Sequence, residues 1–405
     1  MSPLDPEEIG SIVDWLVQQG LDGRDEAALI ADFCRRLCRL GIDLDQAAFF
    51  IDTLHPVLES QGYFWDVKQE ASAGRRDYSR LEAERNEHQW LESPFFHMLE
   101  NSLGELHVPL FRPSNYTFPV LDDLRAVGHT DYFLQLHRLG ETIGDVDGLF
   151  SRWSTRRPGG FTPEEIACLR RVVPAFALAA KSTAFRRMSS SIAEVYLGRD
   201  AARRMLKGRI ERGKVDSIKA VLWFSDMRNY TSLSESVHSG ELIAMLGDYA
   251  EAVISAVHAA GGDVLKLIGD GTLAIFNHAD PQEAAAASLR AWHDLASRIE
   301  ALNARRQAEG LATTTVHVGL HIGEVFYGNI GSDERLDFTV IGPAVNETSR
   351  IVAASRKVGR LLLISSDLLS LLPAPEAAIF EDLGAFRLKG VKRKKRLHAP
   401  PRPQA

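Results

Sequence analysis

The order of periodicities after about residue 215 limits the fold of this chain more than any other feature. Ile218 to Phe224 is a β-branched and aromatic run suited to a buried strand. Leu242, Leu246, Tyr249, Val253 and Val257 then recur at helical spacing until Gly261-Gly262 stops the pattern. Val264 to Ile268 and Thr272 to Phe276 flank Gly269-Asp270-Gly271, the signal of a hairpin about a tight turn. A second long helix is predicted from Pro281, opened by Asp280, to about Ala308. Thr315 to His321 and Val325 to Tyr327 read as further strands, as do Phe338 to Ile341 and Leu361 to Ile364, with a helix from about Pro343 between the last two. The order βαββαβ, with extensions, predicts an α+β, ferredoxin-like layout in which helices cover one face of an antiparallel sheet.

Residues 1–185 alternate helical periodicity with short strand-like runs and read as a smaller α+β domain. Leu29, Ile30, Phe33, Leu37 and Leu40 mark one amphipathic helix. Thr162-Pro163-Glu164-Glu165 opens another, with Ile166, Leu169, Val172, Val173, Phe176 and Leu178 as its apolar positions. The segment GGFTPEEIACLRRVVPAFALAAKSTAF, preceded by the strand-like Leu149 to Ser154, resembles the closing strand and last helix of a GAF domain. Such a domain implies a regulatory role, with a small molecule or a protein as the regulator. Residues 186–214 are rich in Arg, Lys and helix formers and are expected to be a helical connector, 215–398 the second domain and 399–405 a tail.

Composition excludes several classes. Lys and Arg number 47 and Asp and Glu 54, a net charge of −7, so no overall field draws the chain to nucleic acid or anionic lipid. The basic run Lys392-Arg393-Lys394-Lys395-Arg396 reads as a solvated tail segment. Apolar stretches are interrupted, by Lys181 and by Asp367, before they reach membrane-spanning length, and the N-terminus is acidic without an apolar signal core. Three cysteines, Cys34, Cys38 and Cys168, suit core thiols in a reducing, cytoplasmic setting.

Two carboxylates stand at strand ends, Asp226 in FSDMRNYT and Asp270 in the hairpin turn. If the first strand lies beside the hairpin they converge, and one or two carboxylates with substrate phosphates suffice to hold Mg²⁺. Asn346 and Arg350, four apart after Pro343, share a helical face and offer an amide and a planar fork of donors suited to ribose and phosphate. Each feature alone also fits an ordinary turn or polar surface.

Together the segments FSDMRNYTSLSE, GGDVLKLIGDGTLAIF, HVGLHIGEVFYGNIG, FTVIGPAVNETSR and Leu388-Lys389-Gly390 resemble, in family order, the class III nucleotidyl cyclase catalytic domain. The resemblance implies an adenylate cyclase, a lyase that converts ATP to 3′,5′-cyclic AMP and pyrophosphate with two Mg²⁺ or Mn²⁺ ions per site. It assigns the ions to Asp226 and Asp270, assisted by the Met227 carbonyl. It gives the ribose to Asn346, transition-state charge to Arg350 and the terminal phosphates to Lys389 and the backbone from Met227 to Thr231. Base reading falls to Lys266 and Thr339, where many adenylate cyclases have Asp in place of Thr339. Because family sites are shared between two catalytic domains and this chain has one, the resemblance implies a homodimer. His317 and His321 are read as strand residues.

The other readings are a cyclase acting on GTP or a pyrimidine nucleotide and a degenerate nucleotide-sensing domain. Diguanylate cyclase is disfavoured because Gly261-Gly262-Asp263-Val264-Leu265 lacks that family's second acidic residue and Phe.

Overall fold

The structure, a computed structural model, describes residues 4–52, 58–69, 73–79, 82, 85–138 and 148–402. Its contacts divide the chain into two units, Met1–Ile192 and Ala193–Ala405.

The first unit contains a six-stranded antiparallel sheet built from β1 (Gln46–Asp52), β2 (Leu58–Asp66), β3 (Gly74–Ser79), β4 (Glu105–Pro109), β5 (Asp131–Arg138) and β6 (Gly148–Thr155), in the order β3-β2-β1-β6-β5-β4. Helices α1 (Pro6–Asp22), α2 (Glu26–Leu40) and α6 (Pro163–Leu197) share one core with Phe49, Tyr63 and Trp153 of the sheet. Shorter helices α3 (Glu87–Leu91), α4 (Pro94–Glu100) and α5 (Pro119–Ala126) come between, and Met98, Leu121 and Leu124 join a second cluster with Tyr132, Leu134 and Phe150. The start of α6 is a reciprocal cap: Glu165 N–H donates to Thr162 Oγ1 at 3.2 Å, and Thr162 N–H donates to Glu165 Oε2 at 2.7 Å. Leu178, expected on the apolar face, is 63% exposed. Cys34 and Cys168 are buried free thiols.

The expected connector is only partly helical. α6 ends at Leu197, Gly198 takes a positive φ of 85°, and α7 (Arg199–Leu206) is followed by turns and extended chain to residue 214. Glycine reaches that conformation without a Cβ clash, which interrupts an otherwise helix-forming run.

The second unit has strands β7 (Val215–Met227), β8 (Asp263–Ile268), β9 (Gly271–Phe276), β10 (Val316–Gly331), β11 (Leu336–Ile341), β12 (Leu362–Ser365), β13 (Glu381–Phe386) and β14 (Lys395–Ala399). The path β13-β14-β12-β10-β7-β9-β8 ends in the ferredoxin-like order β10-β7-β9-β8, whose pairs are all antiparallel; the expected antiparallel sheet is mixed, because β12 pairs parallel with β10, and β11 folds back on the far end of β10. The two strands expected at 315–321 and 325–327 are one, because β7 pairs with β10 without interruption from Met227↔Val316 to Val215↔Gly328.

Strand alternation sorts the faces. Val221, Trp223, Val316, Val318, Leu320 and Ile322 pack under α9 (Ser239–Ala259) and α10 (Pro281–Ala308). Short helix α8 (Tyr230–Ser236) precedes α9. Helix α11 (Pro343–Val358), expected on the same side, covers the opposite face, with Ala344 against Leu222 and Val325 and Ile351 against Leu363. The expectation of helices on one face therefore holds for α9 and α10 only. Among the described residues α9 alone is long and apolar enough to cross a membrane. It buries Met245, Tyr249, Val253 and Val257 in the core, each worth about 1.5–3 kcal/mol.

Candidate functional site

Asp226 is the penultimate residue of β7 and lies opposite His317 on the face that α11 covers. Ser225 pairs with Thr272 at the start of β9, which puts the β8-β9 turn beside the end of β7. Asp270 occupies that turn and accepts the Met227 N–H at Oδ2, 3.1 Å away. The two carboxylates thus stand at neighbouring strand ends, with Asp270 bonded to the residue after Asp226. Burial raises the Asp270 pKa above the ordinary carboxylate value, against the lowering effect of its backbone hydrogen bonds. Asp226 is 14% exposed, and its Oδ1 is buried without a hydrogen-bond partner. An orphaned carboxylate oxygen beside a second carboxylate fits a hard divalent cation completed by substrate oxygens. No group of three or more His, Cys, Asp or Glu forms a metal cluster among the described residues.

The backbone after Asp226 turns into α8 through Asn229, which has the left-handed φ of 56° that Asn tolerates. Met227 and Arg228 spend their N–H groups inside the fold, on Asp270 and on the Thr315 carbonyl at 2.8 Å. From the expected phosphate-binding stretch, Asn229 to Thr231 at the head of the helix therefore offer N–H groups.

The two residues expected to read the base, Lys266 and Thr339, lie on β8 and β11. Thr339, on β11, is 8% exposed and pairs with Gly328. Lys266, on β8, is ion-paired to Asp337, two residues before Thr339 on the same face of β11. Sequence reasoning missed Asp337, although period-two spacing from Thr339 was its signal.

Asn346 and Arg350 are exposed on α11. The residue of this helix that reaches Asp226 is Arg356, six residues beyond Arg350 and ten beyond Asn346, and it forms an ion pair with the carboxylate. At 1.5 Å rise per residue, Arg350 is displaced by about 9 Å and Asn346 by about 15 Å along the axis from that contact. Lys389 is exposed in the turn between β13 and β14. One copy of the chain gathers Asp226, Asp270 and the head of α8 at one place and presents the remaining groups elsewhere.

α11 is held by a feature of β10 that sequence reading passed over. His317, Gly319, His321 and Gly323 alternate on the face beneath it. A Cβ on Gly319 would stand 2.8 Å from Val352 N, and one on Gly323 would stand 2.5 Å from Ala344 Cβ. His317 Nδ1 lies 2.8 Å from Ser355 Oγ, and His321 bridges Ser365 Oγ at 2.8 Å and Glu347 at 3.0 Å. Both histidines are strand residues that fasten the helix.

Residues 214–399 match the family model described as Adenylate and Guanylate cyclase catalytic domain. An adenylate cyclase of Anabaena cylindrica is 33% identical over 168 residues, 42% of this chain and 34% of that protein. Adenylate cyclase 1 of Rhizobium meliloti is 30% identical over 169 residues, 41% of this chain and 25% of that protein. The chain thus spans between a quarter and about a third of the length of these two curated relatives. The crystal structure of the adenylyl cyclase CyaB from P. aeruginosa, 25% identical, aligns with 47% of this chain and 97% of its own at a TM-score of 0.43. Residues 214–399 of this chain belong to the class III family of adenylate and guanylate cyclase catalytic domains.

Proposed function

We propose that the chain converts ATP to 3′,5′-cyclic AMP and pyrophosphate at sites shared by two copies of its catalytic domain. The observation that carries the reading is the placement of Asp270, bonded to the Met227 N–H, next to Asp226, whose buried oxygen lacks a partner. The names of the curated relatives support the choice of ATP.

Asp226 and Asp270 would hold Mg²⁺ or Mn²⁺. When bound, two such ions supply the charge that makes the ribose 3′-hydroxyl acidic and that stabilises the α-phosphate under attack. The 3′-oxygen loses its proton, bonds to the α-phosphorus, and pyrophosphate leaves. Arg350 stabilises charge on the α-phosphate, and Asn346 orients the ribose. Lys389 and the N–H groups from Asn229 to Thr231 take the terminal phosphates. Lys266 and Thr339 read the adenine edge. Separation of Asn346 and Arg350 from the aspartates along α11 supports completion of each site by a second copy, about a two-fold axis.

Incubating the purified protein with ATP, GTP, CTP and UTP, each with Mg²⁺ and with Mn²⁺, and identifying the products by mass tests the reading. Cyclic AMP is the expected product; cyclic GMP as the main product, or none from any nucleotide, overturns it. The first unit is assigned a regulatory role, so deletion of residues 1–185 is expected to change the specific activity, and unchanged kinetics would make it a passive domain.

A further inference from the structure

Glu347 and Lys395 are used by none of the steps above. Lys395 belongs to the basic run expected in a solvated tail segment, yet it lies on β14 with its side chain 24% exposed. Its Nζ stands 2.8 Å from Glu347 Oε2 and 3.2 Å from Asp367 Oδ2. Glu347, in the second turn of α11, is 15% exposed at its side chain, and the same Oε2 lies 3.0 Å from His321 Nε2. Ser365 Oγ accepts the Leu368 N–H at 3.2 Å, so its own proton goes to His321 Nδ1 at 2.8 Å, and Nε2 keeps the ring proton and donates it to Glu347. One carboxylate is thus held from two strands, β10 and β14. Arg350 stands three residues beyond Glu347 on α11, a spacing at which a carboxylate and a guanidinium on a helix surface pair. It is exposed and has no ion pair among the described residues.

We propose that Lys395 is a positioning residue for the cyclase reaction: with His321 it holds Glu347 against the sheet and keeps that carboxylate off Arg350, whose charge is then free for the α-phosphate. The inference rests on the cyclase reading of Arg350 and adds to it what keeps the guanidinium unneutralised. A glutamate three residues before an arginine on a helix has a partner at hand, and their pairing would cancel part of the charge that the transition state needs. The inner arrangement wins for two reasons. The pair with Lys395 is less exposed than one with Arg350 at the helix surface and is screened less. Turning Glu347 outward would also strip the buried His321 Nε2–H of its acceptor, which costs more than a surface ion pair returns. Loss of Lys395 shifts this balance towards Arg350.

The test measures steady-state kinetics of the full-length protein with ATP and Mn²⁺, alongside thermal melts. Lys395→Met is expected to lower kcat about fivefold while KM for ATP stays within about twofold, because the charge lost acts on the transition state. Lys395→Arg keeps the cation and is expected to stay within about twofold of the parent kcat. Adding Glu347→Gln to Lys395→Met removes the carboxylate that would turn to Arg350 and keeps an acceptor for His321, so kcat is expected to return to within about twofold of the parent. A role confined to stability predicts a double variant no more active than the single one; that result overturns the proposal, as does parent kcat in Lys395→Met. If Lys395→Met does not fold, the same comparison is made with Lys395→Gln. Arg350→Gln separates this inference from its foundation: unchanged kcat there removes the reading of Arg350 itself, whereas kcat lost there and retained in Lys395→Met removes only the part given to Lys395.

Discussion

Asp337 is the single residue that most alters the surroundings of Lys266, which is proposed to read the base. Lys266 is 32% exposed at its side chain and Asp337 49%, so their ion pair contributes little to stability, at most about 1 kcal/mol. Its effect is on where the ammonium points. Lys has a flexible stem and three rotatable donors, and a carboxylate at its end selects one direction. Asp337→Ala is therefore expected to raise the KM for ATP about fivefold, with the melting temperature within about 2 °C of the parent. A steady-state titration with ATP, alongside a thermal melt, reads both. If KM stays put, Lys266 does not read the base from this position.

At the scale of the element, the placement of α11 decides which side chains become available. Gly319 and Gly323 let its backbone approach β10, with His321 in the position between them and His317 in the one before. Gly323→Ala forces a methyl against Ala344, a contact with no flexible side chain to give way. Overpacking of this kind costs about 1–3 kcal/mol. A loss in that range in urea denaturation is expected, together with a drop in turnover larger than the stability loss explains, because Asn346 and Arg350 ride on the displaced helix. A variant as stable and as active as the parent would mean that α11 does not depend on this close approach. The strand pattern predicted β7, β8, β9 and α9 within a few residues because each announces itself by period or by a Gly-flanked turn. It failed at β10, where Ile322, Gly323 and Glu324 blur the alternation and only pairing to β7 keeps the strand continuous.

For the whole molecule, two expectations follow. Mixing Asp226→Ala with Arg350→Ala is expected to restore activity towards half of the parent level per mixed dimer, since both lesions then fall in one shared site and the other is intact. No recovery after subunit exchange, verified by an independent tag, would show that each chain works alone. The second concerns pH. His129, His137, His258, His317, His321 and His398 have pKa values lowered by burial from 6.5. Below that value the unfolded chain binds protons that the folded chain refuses, so stability is complete above about pH 6.5 and is lost as pH falls through it. Melting temperature is expected to decline between pH 7 and 5.5 with proton uptake on unfolding. A flat profile across that window contradicts the burial of these rings.

The sequence by itself determined the ferredoxin-like order and the hairpin that carries Asp270, because periodicity and glycine turns are local properties of a chain, whereas the candidate residues from Asp226 to Lys389 are named through resemblance to a family. Only the tertiary structure decided that α11 takes the face opposite α9 and α10, that Lys266 is paired to Asp337, and that Arg356 rather than Arg350 reaches Asp226. These depend on which face of a strand a helix meets and on how far along its axis a side chain stands. Both are set by packing between segments more than a hundred residues apart, as for Asp226 and Arg356, and no local pattern records them.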